Sequence, residues 1–439
     1  MTETAVQTGF NQDAFDAFLA ARDEPAWLSD LRRAAWEKFL ELPMPSRQDE
    51  EWMRTDIRLF RLDRFGFPAE AEASQLDQAE EGLLRQGVEV GGHAVALDSR
   101  PLASELSDRL REQGVLFGAL DELVREHGDL LRPHLLARAV DPFQDKFAAL
   151  HAACWSGGTL LYVPRGVEVE EPLHQLSLLS AGGVELGHTL VVLEEGASAT
   201  LLAESASLDP EAAGLHCGAI ELLVGPRATL RYVNLQNWGT GVWHFAHQKA
   251  LVDQDANLQW TIGVLGSRLA KVNQHVALVG TGARAQVNGV MFSEGRQHLS
   301  YHTLQHHEAP HCTSDLLYKG ALQDDSRIVW RGMIKVDPGA QKTDGYQRND
   351  SLILNREARA DSIPGLEIEA DDVRCTHGAT TGRVDDEQIF YCRTRGMTRN
   401  EAVRMIVAGF FQQVSDRIPI ESVRVALGEA IARRIREYE

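Results

Sequence analysis

The chain has 439 residues and carries 64 Asp plus Glu against 44 Lys plus Arg, a formal charge of −20. That much negative charge repels phosphate backbones and argues against nucleic acid as a partner. No run approaches the roughly 18 apolar residues of a membrane span, and the length exceeds the ~250–300 residues that one core usually serves, so two or three structural units are expected.

The first residues, Met1-Thr-Glu-Thr-Ala-Val, have neither the basic and apolar regions of a signal peptide nor the Arg- and Ser-rich character of a transit peptide. Five scattered cysteines, Cys154, Cys217, Cys312, Cys375 and Cys392, read as reduced thiols rather than a disulfide framework. A cytoplasmic protein is expected.

Residues 1–136 read as a mainly helical unit. Leu28, Leu31, Ala35 and Phe39 recur at helical spacing, as do Leu116, Leu120, Leu123 and Leu130 with Leu131. Phe67-Pro-Ala-Glu-Ala-Glu-Ala-Ser74 reads as an exposed connection, and Val88 to Leu97 as strand-like. From 137 to 384 short β-branched runs alternate with turn residues, for example Thr159–Val163, His188–Leu193 and Ile220–Val224, and no long helical pattern interrupts them. A barrel, a sandwich or a solenoid would fit. A turn residue followed three positions later by Ala recurs as Gly196/Ala199, Gly225/Ala228, Asp253/Ala256 and Gly282/Ala285. Small residues at such a fixed interval favour stacked coils, a β-solenoid. Residues 385–439 return to helix. There Val423, Leu427, Ile431 and Ile435, four apart, form an apolar stripe on a helix carrying Arg433, Arg434 and Arg436, a candidate docking face for a partner.

Two stretches concentrate metal-binding side chains. Cys375 and His377 are two residues apart, so in a strand they share a face, although two ligands are half of what a closed zinc site needs. His302, His306, His307, His311 and Cys312 lie within eleven residues. In a strand His302 and His306 share one face and His307 takes the other, and Pro310 breaks the run. A second candidate metal set of His302, His306, His311 and Cys312 would suit a free-standing β-solenoid metalloenzyme. No Gly-Lys dipeptide occurs, so the chain has no P-loop and is no ATPase of that type.

The string from Asp371 to Gly396, containing Arg374-Cys-Thr-His-Gly378, closely resembles the C-terminal signature of the SufB/SufD family of iron–sulfur cluster assembly scaffolds. Glu50-Glu-Trp-Met-Arg-Thr-Asp56, Asp145-Lys-Phe-Ala-Ala-Leu150, Pro310-His-Cys-Thr-Ser-Asp-Leu-Leu-Tyr-Lys-Gly320 and Gly339-Ala-Gln-Lys-Thr-Asp344 resemble further family segments in the same order. The resemblance implies a right-handed parallel β-helix core between N-terminal and C-terminal helical domains. It also implies a non-ATPase subunit that pairs with a SufB-like paralogue and docks a SufC-like ABC ATPase through its C-terminal helices, with homodimers when made alone.

Within the family the chain resembles the SufD type. Asn349 stands where the SufB type carries a functional cysteine, Gly378 where it carries Glu, and Pro364 to Cys375 reads as SufD-like. Cys392, more familiar from the SufB type, falls among bulky residues at a predicted helix start and is expected to pack in a core. The resemblance makes His377, with Cys375 beside it, the group acting at the SufB–SufD interface. It implies no cofactor held stably by the isolated subunit, transient iron, sulfide or a nascent cluster in the complex, and room there for a reduced flavin.

Overall fold

The computed structural model describes residues 9–68, 82–85 and 87–435. Within them two ten-stranded, largely parallel sheets run side by side, and 42% strand against 23% helix makes the chain mainly β. Eight coils, each contributing one strand to either sheet, run from Gly157–Val163 with Leu173–Leu179 to Arg359–Ile368 with Arg374–Arg383. The β-solenoid is therefore present, and the barrel and sandwich are not.

One corner of the coil explains the period. Gly196, Arg227, Asp255, Gly282, His311 and Lys342 all have a left-handed backbone, with φ from 54° to 76°. The N–H of each of the first five donates to the carbonyl just before its counterpart in the next coil, Gly196 to Pro226, Arg227 to Gln254, Asp255 to Thr281, Gly282 to Pro310 and His311 to Gln341. The residue after each is small and buried: Ala197, Ala228, Ala256, Ala283, Cys312 and Thr343. The alanine repeat thus mixes two positions of one corner. Ala228 and Ala256 directly follow the left-handed residue, whereas Ala199 and Ala285 stand three after it. Inside the coils Tyr232, Trp260, Tyr301, Tyr318 and Trp330 fill the lumen.

Helices cover both outer faces. On the second sheet, Phe15, Trp36 and Phe39 of helices Gln12–Ala20 and Ala26–Glu41 share a core with Leu190, Leu215 and Phe245. The helix Lys146–Cys154 lies in a stretch read as strands. Every residue from Phe147 to Cys154 is buried, so it lacks the one-sided apolar stripe by which a helix is recognised. Strand Gly92–Leu97 is the latter part of the run read as strand-like from Val88 to Leu97. It extends the first sheet parallel to Leu173–Leu179, and Arg100–Leu106 and Leu116–Ala119 add antiparallel strands at this end. The connection read at residues 67–74 lies outside the described residues from Ala69 onward, as do Met1–Val6 and Arg436.

The C-terminal helices Asp386–Thr394, Arg399–Ser415 and Glu421–Arg434 cover the first sheet. Here the docking expectation is corrected. Val423, Leu427 and Ile431 are buried, sharing a core with Leu202, Leu235, Val290 and Phe292 of the solenoid. The stripe follows helical periodicity because it faces the chain's own sheet. Cys392 packs in the same core beside Ile389 and Val403, as expected.

Asp145 joins the helical and solenoid parts. It caps helix Lys146–Cys154 by accepting from the N–H groups of Phe147 and Ala148, both at 2.9 Å, and it meets His247 Nε2 at 2.9 Å. Burial opposes its charge, but the His247 ring and the two N–H donors prevail and hold its pKa at about 2. A carboxylate depressed in the folded state contributes stability above its unfolded pKa and loses it as pH falls through the folded value. Asp145→Ala is therefore expected to cost about 2 kcal/mol near neutrality, judged from the depression. The difference from wild type should shrink as pH falls from about 4 to about 2. Urea melts at several pH values check this, and a pH-independent difference would contradict it.

Candidate functional site at the open end of the solenoid

The last coil is built from strands Arg359–Ile368 and Arg374–Arg383. Each is the terminal strand of its sheet, with one parallel neighbour, Arg327–Val336 and Asp344–Ile353 respectively. Whereas the first coil is covered by the strands between residues 92 and 119, the last presents an unpaired edge in both sheets among the described residues. A free edge offers a row of backbone donors and acceptors to another strand.

Alternation along the strand fixes which side each residue takes. In strand Thr313–Leu322, Leu316 and Tyr318 belong to the lumen core while Leu317 and Ala321 pack under the C-terminal helices. Register carries this outward: Ser314, Gly345 and Cys375 form one row, and Leu316, Gln347 and His377 the next. Cys375 and His377 thus share the lumen side of the last coil, as their spacing predicts. Thr380, on the other side, donates to Asp350 Oδ1 at 2.6 Å and anchors the strand.

The two side chains differ in setting. Cys375 is half-buried, against Ile334, Val336, Ala340 and Ala370. Burial pushes its thiol pKa up, with Asp344 adding to the effect and a hydrogen bond from the Gly345 N–H opposing it. His377 is exposed. One coil below it lies Gln347, fully buried, whose Nε2 donates to the Gly365 carbonyl at 2.9 Å while Oε1 has no partner. Asn349 is buried in the next lumen row and donates to Ser362 Oγ at 2.6 Å. Gln347 left no sign in the sequence, because a lone Gln in a strand carries no pattern.

A protonated, half-buried thiol is a slow nucleophile. Cys154, Cys217, Cys312 and Cys392 are buried outright. In native protein at pH 7.5 a thiol reagent such as DTNB is expected to titrate one cysteine slowly, Cys375, and all five after denaturation. Cys375→Ser should abolish the native reaction. Two or more native equivalents would contradict this packing.

The second candidate metal set does not assemble. His302 Nδ1 meets Glu51 at 2.7 Å and Lys271 Nζ at 2.9 Å. His306 Nε2 pairs with Asp337 at 2.9 Å, also on the outer side of the sheet. His307, on the lumen side, bonds Ser314 Oγ at 2.8 Å. His311 is a left-handed corner residue, and Cys312 is the small buried residue after it, its Sγ donating to the Gly280 carbonyl at 3.3 Å. Among the described residues no group of three or more His, Cys, Asp or Glu side chains is arranged to hold a metal ion. Nor is any described helix long and apolar enough to cross a membrane.

The fold is a two-sheet solenoid closed at one end and open at the other, with a thiol and an imidazole on its last coil. The chain belongs to the SufBD family of the SUF iron–sulfur cluster assembly system. The family's core domain, described as "SUF system FeS cluster assembly, SufBD core domain", matches residues 178–410, and the "SufBD protein N-terminal region" matches residues 13–175. The chain is similar, at 27% identity over 429 residues (94% of this chain, 91% of the relative), to an "Iron-sulfur cluster assembly SufBD family protein" of Staphylococcus epidermidis. It is equally similar, over 432 residues with the same coverage, to "Iron-sulfur cluster assembly protein SufB" of Bacillus subtilis.

Proposed function

We propose that the chain is a SufD-type, non-hydrolytic scaffold subunit. It pairs through its open end with a SufB-type paralogue and carries a SufC-type ATPase on its C-terminal helices, in the cytoplasm, to assemble iron–sulfur clusters. The observation that carries this reading is the open last coil, where Cys375 and His377 share the lumen side next to two unpaired strand edges. β-Augmentation at such an edge brings a second chain within reach of both groups. When the protein is made alone, a second copy takes the same edge and gives a homodimer.

The division of labour follows from the chemistry present. Cys375 and His377 supply two ligands at most, so incoming iron must take its remaining ligands from sulfide and from the partner. An imidazole binds metal as the neutral ring, and a thiol must shed its proton to do so. Burial keeps the Cys375 proton in place until metal arrives. Asn349, fixed to Ser362, offers no sulfur one coil further in. This supports the SufD-type reading over the SufB type, in which that position resembles a sulfur-accepting cysteine.

The test is an anaerobic pull-down of the protein at native level, with mass spectrometry of the recovered chains and metal analysis of the separated subunit. Recovery of a paralogue and an ABC-type ATPase, with little metal on the isolated subunit, supports the proposal. Recovery alone with stoichiometric, tightly bound metal overturns it.

A further inference from the structure

On the outer face of the second sheet, beyond the edge of the N-terminal helices, lies a cavity of about 340 Å³, at the small end of the range for small-molecule sites. Neither Cys375 nor His377 lines it. Its floor is a set of register rows in three consecutive strands: Lys249 beside His275 beside Leu304, and His247 beside Asn273 beside His302. Val140, Leu304 and Met333 give it an apolar wall.

Most of the charges around it are already paired. Glu51 takes His302 Nδ1 at 2.7 Å and Arg331 at 2.9 Å, with Lys271 Nζ at 3.9 Å, and Lys335 meets Glu367 at 2.9 Å. Asp141 accepts from the Phe143 N–H at 2.9 Å within its own loop. His247 pairs with Asp145 at 2.9 Å. Two groups remain. Lys249 is half-buried and makes no hydrogen bond or ion pair with the described residues, and the buried Nε2 of His275, its neighbour in register, has no partner. Burial, reinforced by Lys249, lowers the His275 pKa to about 3, so its ring is neutral and free to donate one N–H.

The geometry points to a binding site for a small organic anion, its carboxylate or phosphate head held between Lys249 and His275 and its carbon skeleton against Leu304, Met333 and Val140. A half-buried ammonium without a counter-charge costs free energy that an incoming oxyanion recovers, and a neutral imidazole N–H beside it fixes the head's direction. Of the lining carboxylates Glu51 and Glu367 are paired with cations and the exposed Asp141 keeps its charge, while Lys249 is the cation of the lining that makes no ion pair with the described residues. This inference is independent of the assembly role, because the site would bind in the isolated subunit.

Calorimetric titration of the full chain with inorganic phosphate, glycerol 3-phosphate and malate, at low and raised salt, tests it. The expected result is saturable binding of at least one probe, weakened by salt, and weakened tenfold or more in Lys249→Met, which keeps the stem and removes the charge. A thermal melt of Lys249→Met matching wild type without ligand confirms that the fold is retained. Inorganic phosphate binding as well as the organic anions assigns the site to the head group alone; preference for the organic anions adds the apolar wall. Absence of saturation by any probe at about 10 mM, where a Kd of about 1 mM would nearly saturate, overturns the proposal. Equal affinity in Lys249→Met overturns it too.

Discussion

Leu427→Asp is expected to release helix Glu421–Arg434 from the solenoid, lowering stability by more than about 4 kcal/mol. Leu427 is 4% exposed, and its Cδ2 would lie 2.7 Å from a Cβ placed on Gly263 of the first sheet. A side chain that close to a strand backbone leaves no room for water around a carboxylate. The loss joins the transfer free energy of a buried leucine to the desolvation of a charge. Hydrogen bonds at the helix end, from Gln323 Nε2 to the Arg434 carbonyl at 2.8 Å and from Arg434 to Asn237 Oδ1 at 2.6 Å, do not offset that. Limited trypsin digestion should cut Leu427→Asp early at Arg424 and leave wild type intact.

The opposite side of these helices behaves differently. Phe390 and Tyr391 are 68% and 59% exposed, and Met405 is exposed as well. Large apolar side chains left in solvent on a helical pair suit a docking partner better than a buried stripe does. Phe390→Glu is accordingly expected to change stability by no more than about 0.5 kcal/mol while reducing recovery of the ATPase in the pull-down. If Leu427→Asp stays resistant to trypsin and loses only the ATPase, packing against the solenoid is not the stripe's role.

That contrast shows how far the sequence could be read. Periodicity located the C-terminal stripe correctly, but hydrophobicity is blind to what covers it, and the chain's own sheet competes with any partner for Leu427. The coil period was readable because tight corners demand left-handed residues followed by small ones. The same rule places His311 and Cys312 at a corner, where the sequence alone suggested ligands. Helix Lys146–Cys154 stayed hidden because burial on all sides erases the stripe. Cys375 and His377 were found by spacing and resemblance, since strand alternation puts i and i+2 on one side whatever the tertiary fold. Their place on an open last coil was not readable, because it depends on where the stacking of coils stops. The approach of Glu51 to His302, across 251 residues of sequence, left no local trace at all.

His377→Ala should lower cluster-bound iron in the co-expressed complex tenfold or more, on the scale of losing a metal-site group, with the complex itself recovered intact. The ring is exposed and makes no hydrogen bond or ion pair with the described residues, so its removal should cost the fold no more than about 0.5 kcal/mol. A functional defect would then reflect chemistry rather than stability. Thr380→Ala separates the two sides of the same strand. It removes the 2.6 Å bond to Asp350 and loosens the last coil without touching the lumen side, so it should lower the melting temperature slightly and leave cluster yield near wild type. Cys375→Ser should fall between them, since a hydroxyl keeps the volume but binds iron poorly beside a thiolate. Full cluster yield from His377→Ala, with the paralogue still bound, would reduce this end of the solenoid to a docking edge.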